Sequence, residues 1–412
     1  MIEHYVENRR TFYEKVPEFW ADLYGMEYSL YNIFTIDNET IKLLHNATTA
    51  MSHIFFKTAP LLRQLPATML KQLGFPSDSI PFLKYKSIIP ETIIGRFDFV
   101  YTSSGELKLL EFNSDTPTFI KECFFVNDLV CKQFGYKSVN TGYEQQLSKV
   151  LQKAIKSSAK SIECDNPYVV FTAHDTHEED WLTTCYLQNL YGLESRCVPL
   201  SKLQIRDDGL FDENARKIDV LYRQTYPLEH LIFDQDIQTT DRVGIQLLHT
   251  ITQKQAAIIN PISAFLLQSK AVQALIWGLH EEQHPFFTAQ EHDAISKYML
   301  PTYLESDPFA NKDAFVQKPA FGREGDTIKV YDKANKPIME NAQTTYLNEL
   351  PVYQKFVELP RISLQTAKGI EQLSYIFGIF TVAGLSSAMG VRAGNAITGN
   401  ESYFLPVGLK TT

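Results

Sequence analysis

Three observations predict a mixed α/β fold built from interleaved subdomains. Apolar residues recur at helical spacing through the first part of the chain. A period-two pattern brackets a hairpin between Gly95 and Asn113, and a strand–helix–strand succession follows Pro167. At 412 residues the chain exceeds what one hydrophobic core usually serves, so more than one subdomain is expected.

Residues 1–90 read as a helical N-terminal region, with helical spacing over 5–19 and again over 41–56. Segment 91–165 opens on the hairpin. Gly95-Arg96-Phe97-Asp98-Phe99-Val100 and Leu109-Leu110-Glu111-Phe112-Asn113 both alternate apolar and polar residues, and Thr102-Ser103-Ser104-Gly105 supplies the turn. With Ser104-Gly105 as a two-residue loop, cross-strand partners sum to 209. Asp98 then faces Glu111 and Arg96 faces Asn113, all on one side of the sheet. Facing carboxylates repel. A hard cation between them removes the repulsion, and Mg²⁺ takes carboxylate and amide oxygens together with phosphate. The plain alternative is a solvated outer face. A helix over 120–134 follows, closed by Gly135.

Segment 166–260 reads as a small parallel α/β unit: a buried strand over 168–172, a helix over 181–190 ending at Gly192, and strands over 195–200 and 219–222. In His174-Asp175-Thr176-His177-Glu178-Glu179-Asp180, the Thr176 to Glu179 spacing is that of a capping box, a better reading than a metal cluster. Segment 261–412 holds helices over 271–279 and 289–298, then strands over 314–318, 328–331 and 352–358. The uncharged run 373–391 has the length of a membrane helix. Its Gly378, Gly384 and Gly390 and its β-branched core point instead to two buried strands joined near Gly384.

Composition narrows the partners. A net charge of -9 counts against nucleic acid, whose phosphates need a basic surface. Five scattered cysteines with no C-x-x-C pair suggest neither a disulfide framework nor a zinc site and fit a reducing cytoplasm. The start, Met1-Ile2-Glu3-His4 with Arg9 and Arg10 behind it, shows no signal peptide, and no membrane segment is expected.

A second polar cluster lies downstream. A strand ends at Lys318-Pro319, followed by Ala320-Phe321-Gly322-Arg323-Glu324-Gly325-Asp326. Glycines flanking an arginine let backbone approach a phosphate and let a loop close over it. No Gly-Lys-Ser/Thr follows, so this is not a Walker loop. The strand Val352 to Glu358 could offer an adenine its backbone edge.

In this order, Arg96-x-Asp98, Leu109 to Thr118, Lys318-Pro319-x-x-Gly322-Arg323-Glu324-Gly325, Gln354 to Pro360, and Gly390-Val391-Arg392 with Ile397-Thr398-Gly399-Asn400 resemble the synthetase domain of the glutathionylspermidine synthase family, a branch of the ATP-grasp ligases. The resemblance covers roughly residue 90 to the C-terminus. It implies an ATP-grasp-like fold, an ATP-dependent carboxylate–amine ligase, and ATP with two Mg²⁺ ions as cofactors. Matched residue by residue, Asp98, Glu111 and Asn113 correspond to magnesium ligands, and Arg96, Thr116 and Thr118 to positions holding the acid substrate. Lys270 and Lys318 correspond to lysines on the ATP phosphates, Gly322 to the closing loop, and Gln354, Lys355, Phe356, Val357 and Glu358 to the adenine-side strand. Arg323 and Arg392, with Arg96, correspond to the catalytic arginines that stabilise the transferring phosphoryl group and the acyl-phosphate.

Departures from the family pattern fall near the substrates. With so few residues before Arg96, the family's N-terminal amidase, and hydrolysis of the product, are not expected here. Ala393 follows the late arginine where an acid is common, the tail Phe404-Leu405-Pro406-Val407 lacks a histidine, and Leu228 replaces a frequent tryptophan. Glutathione and spermidine are therefore both left open. The expected partners are a small-molecule or peptide carboxylate and an amine, and Glu178-Glu179-Asp180 favours a polyamine or diamino acid. The rivals are a phosphotransferase with no amine acceptor and a non-catalytic nucleotide-binding regulator. Retention of Asp98, Glu111, Asn113, Lys318, Arg323 and Arg392 together counts against the second.

Overall fold

The computed structural model describes residues 2–397, 399 and 402–410. Its largest sheet is antiparallel and joins distant parts of the chain. The order across it is Tyr403–Leu405, Leu385–Gly394, Gly369–Val382, Ile94–Tyr101, Leu107–Asn113, with Arg361–Thr366 paired along the start of Gly369–Val382. One face is apolar. Phe97 and Phe112 stack with centroids 3.9 Å apart, and Phe55 of the helix Asn38–Gln64 meets both nearly edge-on. Alternation then sends Arg96, Asp98, Glu111 and Asn113 to the opposite face. That face is interior: Asp98 is 1% exposed, which excludes the solvated-hairpin reading.

The register pairs Asp98 with Glu111 and Arg96 with Asn113, but the turn differs from the two-residue loop expected. Thr102 N donates to Glu106 O at 2.8 Å and Gly105 N to Thr102 O at 3.0 Å, so the loop is Ser103-Ser104-Gly105, with Gly105 at φ 82°. The Thr102 hydroxyl accepts from the Glu106 N–H and favours this longer closure. Partners beside the turn therefore sum to 208, as for Phe99 with Leu109, and a bulge at Leu110 restores 209 at the carboxylates.

The N-terminal region is less purely helical than its spacing suggests. Three strands, Asp22–Leu23, Met26–Glu27 and Phe34–Ile36, lie between the helix Ile2–Tyr13 and the helices Asn38–Gln64, Ala67–Gln72 and Ile80–Leu83. The aromatic and β-branched run Phe34-Thr35-Ile36 pairs in parallel with Val407–Leu409, so the two ends of the chain share a sheet. Divisions near residues 90, 165 and 260 follow the chain, whereas the sheets join strands from either side of them. The stretch before Gly135 opens with a π-helical turn, Glu122–Val126, and continues as the helix Asn127–Gln133.

The small unit has the parallel order Ala257–Ile259, Val220–Gln224, Val169–Ala173, Arg196–Cys197. Its helix Glu178–Tyr191 ends at Gly192 in the left-handed region, as expected. The capping box does not form. His177 is the N-cap with no side-chain cap bond, and Glu179 turns to a cavity wall instead. A second antiparallel sheet has the order Thr302–Tyr303, Pro351–Lys355, Phe315–Pro319, Lys329–Tyr331, Pro337–Glu340. The strand expected to reach Glu358 ends at Lys355, and Glu358 is exposed beyond it. The uncharged run forms the two strands meeting at Ala383-Gly384. Among the described residues no helix is long and apolar enough to cross a membrane.

Candidate active site

The floor of the site is the polar face of the hairpin. Arg96 Nε donates to Asp98 Oδ1 at 2.7 Å and Nη2 to Oδ2 at 3.0 Å, while Nη1 donates to Thr118 O at 2.8 Å. Gly378 lies opposite Asp98, and a Cβ there would stand 3.0 Å from Arg96 Cδ, so the glycine makes room for the guanidinium stem. Asn113 Nδ2 donates to Asp98 Oδ2 and to Glu111 Oε1, each at 3.4 Å. Lys270 Nζ lies 3.3 Å from Glu111 Oε2. Burial works to raise the Glu111 carboxyl, but Lys270, then Lys318 and Arg96, override it and hold the group down at about 2. Two carboxylates and one amide are donors that fit a hard cation retaining water and phosphate ligands. No group of three His, Cys, Asp or Glu gathers among the described residues. Asn113 would supply a third protein donor once its amide turns to bring Oδ1 into the place that Nδ2 now takes between the two carboxylates.

Beside this floor lies a cavity of about 110 Å³ whose wall includes Asp98, Glu111, Lys318, Gln354, Phe356 and Val357. Lys318 Nζ donates to Gln354 Oε1 at 2.7 Å and to the bulge carbonyl Leu110 O at 3.3 Å. Gln354 Nε2 is shared between Gln273 Oε1 at 3.2 Å and Thr302 Oγ1 at 3.4 Å, so this side chain braces the lysine. Burial pushes the Lys318 ammonium down to about 8 against the attraction of Glu111. Lys355 lines the same cavity, but its ammonium pairs with Asp313 at 2.9 Å. Glu358 is not on this wall. Lys270 Nζ donates to Gly322 O at 2.7 Å and anchors the root of the loop. A Cβ on Gly322 would stand 2.0 Å from Pro319 Cγ, a clash that demands glycine there.

A larger cavity of about 560 Å³ opens on the other side. Thr116, Thr118, Arg323, Glu179 and Asp180 line it, while Arg392 and Glu324 line both cavities. Arg392 Nη1 is 3.9 Å from Asp98 Oδ2. Thr398 and Asn400 of the late motif lie outside the described residues. The loop after Asn113 is held by residues that the motifs did not reveal. Gln268 Oε1 accepts from Ser114 N at 2.9 Å and Asp115 N at 3.1 Å, and Asn260 Nδ2 donates to Asp115 O at 2.6 Å. Arg223 Nη2 donates to Asp115 Oδ1 at 2.6 Å, with both side chains 1% exposed. Arg223-Gln224 ends a parallel strand, the edge where ligands gather in such sheets, and that polar pair after an apolar run was the available signal. The acidic wall is strained electrostatically. Burial pushes Asp180 up to about 6 against His177, and burial, then Glu122, raises Glu179 well above its ordinary value. Such a wall favours a cationic ligand.

Two cavities, one lined by Asp98, Glu111 and Lys318 and the other by Glu179 and Asp180, thus meet at Arg392 and Glu324. The family model described as glutathionylspermidine synthase preATP-grasp matches residues 6–410, and the chain belongs to that family, with the likeness reaching well before residue 90. A relative from Haemophilus influenzae, provisionally named an acid–amine ligase, is 26% identical over 405 residues, 94% of this chain and 90% of its own. A solved structure from Methylobacillus flagellatus KT, provisionally named a γ-glutamylcysteine synthetase, is 10% identical with a TM-score of 0.46, covering 91% of this chain and 88% of its own.

Proposed function

We propose that the protein is an ATP- and Mg²⁺-dependent ligase, similar to glutathionylspermidine synthetase, that joins a carboxylate to an amine through an acyl-phosphate. The observation that carries this reading is the meeting of the two cavities at Arg392 and Glu324 beneath the glycine-flanked loop. A carboxylate oxygen attacks the γ-phosphorus, the bond to the bridging oxygen breaks, and ADP leaves. The amine nitrogen then attacks the acyl carbon, phosphate leaves, and the nitrogen loses a proton. The reaction needs positioning and charge neutralisation rather than a nucleophilic side chain.

Lys270 and Lys318 hold the phosphates, and the edge from Gln354 to Val357 takes the adenine. Arg96, Thr116 and Thr118 hold the acid, while Arg323 and Arg392 stabilise the phosphoryl group in transfer. Asp98, Glu111 and Asn113 would hold Mg²⁺, which neutralises phosphate charge when bound. Glu179 and Asp180 receive the amine, for which a polyamine or diamino acid fits their charge. Five free thiols suit a reducing cytoplasm. A phosphate-release screen of carboxylates against amines with Mg·ATP, followed by mass measurement, tests the reading. Phosphate that depends on both substrates, with an amide product, is the expected result. Release with a carboxylate alone, unchanged by any amine, would overturn it in favour of a phosphotransferase.

A further inference from the structure

We propose that Glu229 is the positioning residue for Arg323, docking the tip of the loop 322–326 against the helix Leu228–Leu231 while its carboxylate is charged and freeing the guanidinium when it is not. This rests on the ligase reading only for what the freed arginine does.

Glu229 is 5% exposed, and neither of its carboxylate oxygens has a hydrogen-bond partner among the described residues. A buried carboxylate without a donor is costly and uncommon. The cation facing it is Arg323, whose Nε is 3.5 Å from Glu229 Oε1 and has no hydrogen bond among the described residues. The pair attracts across a gap without being locked.

Glu229 cannot follow a moving partner, because its helix is fixed. Leu228 N donates to Asp115 Oδ2 at 3.1 Å, and Asp115 is held by Arg223. The loop is fixed at both ends as well. Lys270 holds Gly322 O, Asn341 Nδ2 donates to Gly325 O, and Asp326 Oδ1 accepts from Thr345 N. At the Arg323-Glu324 tip the bond found is one within the loop, from Asp326 N to Arg323 O at 2.9 Å, and among the described residues the ion pair of the guanidinium is with Glu229, which thus sets where it rests. The other charged groups near Glu229 are Asp115, already paired, and Glu349; His230 stands beside it and also faces Arg323. Burial pushes the Glu229 carboxyl up to about 7 against Arg323, so its charge changes near neutrality. An anion entering the cavity competes for the same guanidinium, and in the ligase reading that anion is the carboxylate or its phosphoryl donor.

Trypsin reports the docking directly, since it must take the Arg323 side chain to cut before Glu324. Cleavage there is compared with cleavage after Lys333, in the exposed turn closed by Asp332 and Lys336 of the same intact chain. At about pH 8.5, Glu229→Gln is expected to raise the Arg323 to Lys333 ratio roughly fivefold or more, as release of a held segment does. Wild type is expected to show the same rise on moving to about pH 6.5, and Glu229→Gln no pH dependence in the ratio. An unchanged ratio in the variant overturns the proposal. So does a pH response that persists in Glu229→Gln, which would assign the effect to His230. Should the variant lose its fold and be cut throughout, the wild-type pH comparison decides alone, and a flat ratio there refutes the docking. No turnover is needed, so failure of the ligase reading leaves this test standing.

Discussion

The two cavities that meet at Arg392 are built on opposite terms. On the proposed nucleotide side the polar groups are already satisfied: Lys318 by Gln354 and Leu110, Gln354 by Gln273 and Thr302, Lys270 by Gly322. On the proposed acceptor side several have no partner among the described residues: Thr116 Oγ1, both Glu229 oxygens and Arg323 Nε, all buried. A side that takes one fixed ligand can brace its own residues in advance. A side proposed to take two substrates and a moving phosphoryl group would hold donors and acceptors in wait.

The comparison breaks first if the acceptor side proves not to depend on its own buried anchor. Arg223→Ala removes the partner of Asp115 and leaves a carboxylate uncompensated in the interior. The expected loss is about 3–5 kcal/mol in denaturant unfolding, the usual result of breaking a buried pair on one side. A loss below about 1 kcal/mol would mean that water reaches Asp115 and that the loop is not held as described.

Next in size is Arg323→Ala. It is expected to leave ATP affinity nearly unchanged and to lower turnover by about 10²–10³, the effect of removing one preorganised donor to transition-state charge. Isothermal titration and single-turnover rates separate the two. Equal losses in binding and rate would make Arg323 a ground-state clamp and place it with the braced side.

How much of this was legible in the sequence follows the same division. The hairpin, Lys318 and the glycine-flanked loop lie in short contiguous motifs, because strand alternation and backbone geometry place them with little help. Asp98 and Glu111 faced each other despite the wrong loop length, since the bulge at Leu110 offset the extra turn residue. The acceptor side was legible only in part. Gln268, Asn260, Arg223 and Glu229 come from separate segments, and only tertiary packing brings them to Asp115 and Arg323. At Thr176 and Glu179 a local rule pointed to a cap, but the helix starts without it and Glu179 faces the cavity. Phe34 to Ile36 escaped notice because its strand partner lies at the far end of the chain.

A smaller effect tests whether Glu229 carries charge at a cost. Its folded carboxyl is raised to about 7 from an ordinary value of 4.5, so the folded state binds the extra proton between these values. Stability is therefore expected to fall as pH rises through that window and to stay reduced above it. Glu229→Gln should remove the penalty, gaining up to roughly 3 kcal/mol on wild type between about pH 4.5 and pH 8. Parallel stability curves for the two proteins would show that Arg323 already compensates the charge.

The smallest expected effect concerns the acidic wall. Asp180 is held near 6 by burial, opposed by His177, whose Nδ1 is 3.8 Å from Asp180 Oδ2. Above that value it is charged and draws a cationic amine; below it the attraction fades. For the amine that supports turnover, KM is expected to rise as pH falls through about 6, while KM for ATP stays flat. Asp180→Asn should show the raised KM at every pH, by about tenfold, the factor that about 1.4 kcal/mol represents. Glu179 stands beside it, with its carboxyl raised by burial and then by Glu122, and Glu179→Gln should change KM less. If both variants instead lower turnover and leave KM alone, the wall acts on the transition state. The acceptor side would then be preorganised too, and its contrast with the nucleotide side would narrow to Thr116, Glu229 and Arg323.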